Sequence, residues 1–209
     1  MNAQTERLQV NGPVGLIEAL RDAPGIDQTT RGVAVIAHPH PLFGGTMDNK
    51  VVQTLARAFV QCGWVAVRFN FRGVGASQGA YDEGRGEVAD MVAVVAQLAA
   101  TGPLALAGFS FGAAVASHAV ASLWPSRDLE KIVLVGTAAS RFEVAPVPLD
   151  VHDRTLVLHG EADDTVPLAA VMDWARPQVL PVTVVPAGGH FFHGQLPLLK
   201  NLVVRHLLA

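Results

Sequence analysis

The sequence is poor in cysteine and in charged residues, and both shortages exclude classes of protein. Its single cysteine, Cys62, cannot form an internal disulfide, so a disulfide-stapled secreted domain is excluded. A lone thiol fits a reducing compartment, and we expect a cytoplasmic protein. Charged residues make up 16% of the 209 residues, against about 25% in an average soluble protein, and the net charge is -3. Without a basic excess, we expect no nucleic-acid partner.

The sequence also lacks an unbroken apolar segment long enough to span a membrane. No residue between Asp90 and Arg127 carries a formal charge, but Thr101-Gly102-Pro103 and the glycine-flanked segment 108–112 interrupt this stretch. A transmembrane helix needs about 20 mostly apolar residues. Residues 1–6 are polar and lack the basic and apolar regions of a signal peptide. We therefore expect no membrane contact and no signal peptide.

The hydrophobic pattern predicts an α/β fold built as one domain over residues 1–209. Half of the residues are hydrophobic, and a chain of this length can bury a substantial core. Continuous apolar runs, typical of strands buried on both faces, occur at 33–37, 64–69, 104–107, 131–135, 155–158 and 182–185. Helical patterns lie at 48–61, 86–100, 111–123, 167–175 and 196–207. This alternation is typical of βαβ units around a parallel sheet.

A β-hairpin is predicted ahead of these units. Segments 5–10 and 14–20 are joined by Asn11-Gly12, which is a strong hairpin signal. We therefore expect an antiparallel start that leads into a mostly parallel sheet of about eight strands, with helices on both faces. Functional residues in such sheets gather at the carboxyl ends of the strands, so the loops after those ends are the places to search.

The sharpest local motif is Gly108-Phe109-Ser110-Phe111-Gly112, between the predicted strand at 104–107 and the helix at 111–123. This is the context of a nucleophile elbow, a turn so tight that small residues must flank the serine. The serine hydroxyl then lies at a helix N-terminus, where free N–H groups favour developing negative charge. A plain Gly/Ser turn would give the same five letters, so the motif needs support from other loops.

A base and an acid follow on two later loops, in the order Ser, Asp, His. A serine hydroxyl becomes a good nucleophile only when a base takes its proton. Asp163 and Asp164 follow the strand at 155–158, and His190 and His193 follow the strand at 182–185. All of these candidates lie just past the carboxyl ends of predicted strands, which is far more specific than any one motif.

These features resemble the α/β-hydrolase superfamily and, within it, small lidless bacterial serine hydrolases akin to carboxylesterases and dienelactone hydrolases. Besides the three loops above, the resemblance is carried by residues 38–45 (HPHPLFGG) and 68–77 (RFNFRGVGAS), so it extends from about residue 30 to 195. Two departures stand out. Ser110 replaces the cysteine of dienelactone hydrolases, which argues against the dienelactone reaction, and Asn70 stands where many relatives have Asp.

The resemblance implies a serine hydrolase that cleaves a carboxylic ester or related acyl bond of a small molecule. Ser110 is then the nucleophile and His190 the base, and no cofactor is implied. Asp163 is the expected acid because two residues separate it from Val166-Pro167, as in the family pattern, and the expected role of Asp164 is a helix cap or a solvated carboxylate. His193 is expected at the rim of the site or as a hydrogen-bonding partner of the site residues.

The resemblance also implies an oxyanion hole made of two backbone N–H groups. One is that of Phe111, directly after the nucleophile. The other comes from the loop at 38–43, where Pro39 and Pro41 have no N–H. The remaining candidates are His38, His40, Leu42 and Phe43, and by similarity to His-Gly-X loops we choose Leu42. We expect His40 and Phe43 to contact the substrate.

Several alternatives remain open. The same triad would serve a thioesterase, an amidase or a peptidase, and a catalytically silent scaffold that binds a ligand would share the fold. His38 and His40 could also ligate a metal with His190 and His193, but triad chemistry needs no metal and we expect none. Only residues 136–154 separate two predicted strands where a cap usually grows, so we expect no cap. The chain is expected to be a monomer or a homodimer.

Overall fold

The computed structural model describes residues 5–209, which form an eight-stranded sheet flanked by helices. The strands are β1 (Thr5–Gly12), β2 (Gly15–Asp22), β3 (Gly32–Ala37), β4 (Trp64–Phe69), β5 (Leu104–Phe109), β6 (Leu129–Val135), β7 (Thr155–Gly160) and β8 (Val182–Val185). The α-helices are α1 (Lys50–Gln61), α2 (Arg85–Leu98), α3 (Phe111–Leu123), α4 (Leu168–Ala175) and α5 (Leu196–Leu208). Among these residues no helix is long and apolar enough to cross a membrane.

The strand order is β1-β2-β4-β3-β5-β6-β7-β8. β1 and β2 form an antiparallel hairpin, and β2 joins β4 antiparallel. From β4 to β8 all neighbouring strands are parallel. The predicted architecture, an antiparallel start followed by a mostly parallel sheet of eight strands, is therefore confirmed.

Helices cover both faces of the sheet, and each face has its own apolar core. Buried residues of α2, α3 and α4 pack on one face, and those of α1 and α5 pack on the other. Strand β5 shows how the sequence feeds both cores, because successive side chains of a strand point to opposite faces. Leu104 and Leu106 belong to the first core, whereas Ala105, Ala107 and Phe109 belong to the second. A continuous apolar run is therefore what a central strand requires.

The hairpin turn lies two residues later than the sequence predicts. Asn11 and Gly12 are paired with Leu16 and Gly15 in the ladder, and the turn consists of residues 13 and 14. The reason is Pro13, whose missing N–H and fixed φ suit a turn better than a ladder position. The prediction of the Asn11-Gly12 turn is therefore wrong, although the predicted hairpin exists.

The segment between β6 and β7 has no helical cap. Over residues 136–154 the only helical element is a short 3-10 helix, Leu149–Arg154. The expectation of a capless site is confirmed, and the carboxyl ends of the central strands stay accessible.

Glycine at position 112 allows α3 to approach β3 closely. A Cβ atom placed on Gly112 would lie 2.5 Å from the carbonyl oxygens of both Ala37 and His38. Such a distance is far inside van der Waals contact, and backbone atoms cannot swing aside as a flexible side chain can. The first turn of α3 therefore depends on the absence of a side chain here.

We expect Gly112→Ala to lower the melting temperature, although alanine at an unobstructed helix position would stabilise by about 1 kcal/mol. Overpacking of this kind costs about 1–3 kcal/mol or more and should outweigh that gain. Thermal unfolding followed by circular dichroism measures the change. The control is Gly25→Ala, because no heavy atom lies within 4 Å of a Cβ at that position. Equal melting temperatures for Gly112→Ala and the unchanged protein would contradict this account.

Candidate active site

Ser110 lies in a strained turn between β5 and α3. Its φ of 57° and ψ of -117° are unusual for a residue with a side chain. The turn is fixed on both sides, because the Ser110 N–H donates to the carbonyl of Val135 at 2.8 Å and the Ser110 carbonyl accepts the N–H of Ala113 at 3.0 Å. A Cβ on Gly108 would collide with the backbone of Gly112. The small flanking residues that the elbow motif predicts are therefore sterically required.

The structure brings Ser110, His190 and Asp163 into one hydrogen-bonded chain. His190 follows β8, and its Nε2 lies 3.0 Å from the Ser110 Oγ. The other ring nitrogen, Nδ1, lies 2.7 Å from Asp163 Oδ2. Since a carboxylate only accepts, the His190 Nδ1–H donates to Asp163 and Nε2 is left to accept the Ser110 hydroxyl. All three residues are buried.

Asp163 is held in place as an ionised acceptor. Its Oδ1 accepts the N–H groups of Thr165 at 3.0 Å and Val166 at 2.7 Å. Burial alone would raise the pKa of Asp163, but the hydrogen bonds from His190 and Val166, with the charge of the nearby histidines, hold its pKa below the usual value. A second histidine, His159, is buried beside it with Nε2 at 3.5 Å from Oδ2.

The two competing candidates, Asp164 and His193, lie outside this chain. Both are exposed. Asp164 Oδ1 accepts the hydroxyl of its neighbour Thr165 at 3.3 Å, and the His193 ring lies 5.9 Å from that of Phe191. The expected distinction between Asp163 and Asp164, and between His190 and His193, thus matches a difference in burial and contact.

The predicted oxyanion donor Leu42 is not supported by the structure. Its N–H donates to the ring Nδ1 of His40 at 3.2 Å, and its side chain is 68% exposed. Leu42 opens outward because Pro41 starts a 3-10 turn over Pro41–Phe43 that His40 caps. Within residues 5–209 no protein acceptor takes the backbone N–H of His40. His40 and Phe111 both line the cavity at Ser110.

The His38 ring holds the loop that contains His40 through hydrogen bonds to the backbone. Its Nδ1–H donates to the carbonyl of Pro39 at 2.6 Å, and its Nε2 accepts the N–H of Phe71 at 3.1 Å. With both ring nitrogens engaged by backbone, His38 is not free to bind a metal. Among residues 5–209 no group of three or more His, Cys, Asp or Glu side chains is arranged to hold a metal ion. The sequence offered no sign of this tethering role, because Phe71 is distant along the chain.

Asn70 bridges two groups that an aspartate could not serve equally well. Its Oδ1 accepts the N–H of Met47 at 2.9 Å, and its Nδ2 donates to Glu18 Oε2 at 2.9 Å. Glu18 lies on β2, which pairs with β4 just before Asn70. A carboxylate at position 70 would face the Glu18 carboxylate without a proton between them. The departure from the family pattern is therefore explained by the neighbouring acid.

A cavity of about 320 Å³ opens above Ser110 and His190. Aromatic rings dominate its lining, with both expected substrate-contact residues among them: His40, Phe43, Phe111, Phe142 and Phe191. Four rings surround that of His40 at centroid distances of 4.9–5.4 Å, those of Phe43, Tyr81, Phe111 and Phe142. A larger cavity of about 430 Å³ between α1 and the β2–β4 edge shares no residue with this one and contains no serine or histidine.

His38 should make the fold sensitive to acid. Burial lowers its pKa to about 4, from 6.5 in an unfolded chain. Between those values the unfolded state binds one more proton, so stability is complete above pH 6.5 and is lost as the pH falls toward 4. The loss is about 1.4 kcal/mol per pH unit for one proton.

We expect His38→Gln, which keeps an acceptor for Phe71, to flatten this dependence by about one proton. Urea unfolding between pH 6.5 and 4 measures the slope in both proteins. His206, whose burial also lowers its pKa to about 4, contributes equally to both and cancels. The matched control is His193→Gln at an exposed position. An unchanged slope in His38→Gln would show that His38 is not the group responsible.

Comparisons with known proteins agree with this fold. The family model described as serine aminopeptidase, S33, matches residues 28–151, a range that includes Ser110. A lidless α/β serine hydrolase from Xanthomonas campestris is 36% identical, with 100% of this chain and 95% of that chain covered and a TM-score of 0.86. An α/β serine hydrolase homologue from Coxiella burnetii is 38% identical, with 97% of each chain covered and a TM-score of 0.81.

A further relative is an uncharacterised protein of Rickettsia prowazekii, 42% identical over 118 residues. That match covers 54% of this chain and 49% of the relative, so it spans about half the relative's length. The family match and the two serine hydrolases of similar length are therefore the informative comparisons. They show that this chain belongs to the serine aminopeptidase S33 family of the α/β-hydrolase superfamily.

Proposed function

We propose that this protein hydrolyses carboxylic esters of small molecules through a Ser110–His190–Asp163 triad and an acyl-enzyme intermediate. The observation that carries the proposal is the hydrogen-bonded chain from Ser110 Oγ to His190 at 3.0 Å and from His190 to Asp163 at 2.7 Å, at the base of an open cavity. These distances lie within the reach that nucleophile and base require.

In the first half-reaction Ser110 Oγ attacks the ester carbonyl carbon while His190 Nε2 takes the hydroxyl proton. The resulting imidazolium is stabilised by Asp163, which stays ionised. When the tetrahedral intermediate collapses, the bond from carbon to the alcohol oxygen breaks. His190 returns the proton to that oxygen, and the acyl group remains on Ser110.

The tetrahedral oxyanion is placed between the N–H groups of Phe111 and His40. Both residues line the cavity with Ser110, and both amides lack another protein acceptor within residues 5–209. A donor that is already aimed at the developing charge typically lowers the barrier by about 3–4 kcal/mol. Water then attacks the acyl-enzyme with His190 again as base, and the acid is released.

An ester suits this cavity better than the N-terminal amino acid that an aminopeptidase must bind. A free ammonium group needs a carboxylate partner near the scissile bond. Among the described lining residues there is no Asp or Glu side chain, and the one permanent charge is the cation of Arg141. An ammonium group would therefore find no carboxylate partner among these residues, which favours an esterase over the peptidase that the family's description suggests.

The remaining expectations are part of the same proposal. A single domain over residues 1–209 and a small-molecule substrate belong to it, and a cytoplasmic location fits a chain whose one cysteine is free and buried. The thioesterase and the silent scaffold are the alternatives, and the following experiments separate the silent scaffold from an active hydrolase.

Ser110→Ala is expected to abolish hydrolysis of 4-nitrophenyl acetate, lowering kcat by at least about a thousandfold, because within residues 5–209 the Ser110 hydroxyl is the one side-chain hydroxyl bonded to His190 Nε2. A fluorophosphonate probe should label the unchanged protein at Ser110 and leave the variant unlabelled. Circular dichroism of the variant provides the control for folding. Unlabelled native protein would identify a silent scaffold, and normal turnover by the variant would rule out the triad.

Asp163→Asn and His190→Ala should each lower kcat by several orders of magnitude, since triad members act as a unit. The matched controls Asp164→Asn and His193→Ala alter exposed neighbours on the same loops and should change kcat less than about threefold. Steady-state kinetics with 4-nitrophenyl acetate compares the four variants. The opposite ranking of either pair would reassign the acid or the base.

A further inference from the structure

Arg141 is the one permanently charged side chain among the described residues that line the cavity at Ser110. It lies in the loop after β6, next to Phe142, whose ring contacts those of Phe111 and His40 at 4.9 and 5.4 Å. Phe111 and Phe142 thus form one wall of the cavity.

The charge of Arg141 has no partner within the part of the chain that the structure describes. Its guanidinium forms neither an ion pair nor a hydrogen bond there, whereas the buried Arg68 and Arg72 are each paired with an aspartate. Arg141 lies close enough to His40 to act on it electrostatically. Burial is the larger cause that lowers the pKa of His40, and the Arg141 charge lowers it further. A lone cation beside an aromatic cavity is a place where a substrate anion gains a partner.

We propose that Arg141 is a specificity-determining residue that binds a carboxylate of the substrate, so the preferred substrates are aromatic esters that also carry a carboxylate. The inference rests on the proposed ester hydrolysis at Ser110. A guanidinium can hold a carboxylate through two parallel hydrogen bonds. The surrounding rings supply edge-to-face and stacked contacts for an aromatic group between that carboxylate and the scissile bond.

The expected selectivity is moderate, because Arg141 is exposed. Water and salt weaken the attraction of exposed charges, which is largely screened beyond about 10 Å at 0.1 M ionic strength. We expect about a 5- to 10-fold preference in kcat/KM at low salt and a smaller one at high salt.

Two pairs of chromogenic esters test the proposal. The first pair is 4-nitrophenyl 4-carboxybenzoate and its neutral analogue 4-nitrophenyl 4-carbamoylbenzoate, which differ in charge on the acyl side and little in size. The second pair is 4-acetoxybenzoate and 4-acetoxybenzamide, which carry the same difference on the alcohol side. The ratio of kcat/KM within each pair is measured at low and high salt, so the pairs also show on which side the anion binds.

In at least one pair, the anionic-to-neutral ratio should be about 5- to 10-fold lower in Arg141→Gln than in the unchanged protein and lower still in Arg141→Glu, while Arg141→Lys retains part of it. The matched control is Arg205→Gln, at an exposed arginine of α5 outside the cavity. An anionic-to-neutral ratio that is the same in Arg141→Gln and in the unchanged protein, for both pairs, would overturn the proposal.

The neutral esters separate this inference from the proposed function. Ser110-dependent turnover of 4-nitrophenyl 4-carbamoylbenzoate, together with an anionic-to-neutral ratio that Arg141→Gln leaves unchanged in both pairs, would refute only the role of Arg141. Absence of Ser110-dependent turnover of any ester would refute the proposed function itself. Unchanged turnover of the neutral esters in Arg141→Gln would show that the variant is folded and that its effect is on recognition.

Discussion

The close approach of helix α3 to strand β3 is the contact on which the site depends. It exists because position 112 carries no side chain between the helix and the carbonyl oxygens of Ala37 and His38. This approach places the N-terminus of α3 against the loop that follows β3. The amides of Phe111 and His40, which belong to different elements, thereby line one cavity, as the proposed oxyanion hole requires. The strained backbone of Ser110 is tolerated because hydrogen bonds hold it from both β6 and α3.

The loop that carries His40 is positioned by neutral side chains and by the Arg68 guanidinium, which donates to the carbonyl of Met47 and to Asp48. His38 accepts the N–H of Phe71, and Asn70 accepts that of Met47. Arg72, which follows Phe71, is held against Asp90 of α2. Its backbone N–H and its guanidinium both donate to the Asp90 carboxylate, and the two side chains form a buried ion pair. Buried polar groups are costly when unpaired, so each of these contacts selects one arrangement of the segment. Removing any one of these hydrogen-bonding partners should make the segment that it holds more mobile without altering the nucleophile elbow at Ser110.

The sequence predicted features that depend on local pattern. Strands β3 to β8 follow from continuous apolar runs, the elbow from closely spaced glycines, and the positions of Asp163 and His190 from the strand ends that precede them. Features that depend on backbone direction or on distant partners were not predictable in this way. Leu42 and His40 are separated by one proline, and only the 3-10 turn over 41–43 decides which amide is free. The Glu18 partner of Asn70 follows from the pairing of β2 with β4, which no local pattern encodes.

Burial divides the site into two regions with different electrostatics. Ser110, His190 and Asp163 are 8%, 4% and 6% exposed, although the cavity above them has no lid, while Phe43 at the rim is 78% exposed. The three groups of the proposed triad therefore lie in a medium of low dielectric, where fixed dipoles and the ionised Asp163 would act strongly on a developing charge. The rim lies in water, where a single charge such as Arg141 acts weakly on nearby groups. The proposed ester hydrolysis thus places rate and selectivity at different depths of one cavity, so a change at the rim would alter which ester is preferred while leaving the hydrogen-bonded chain beneath it intact.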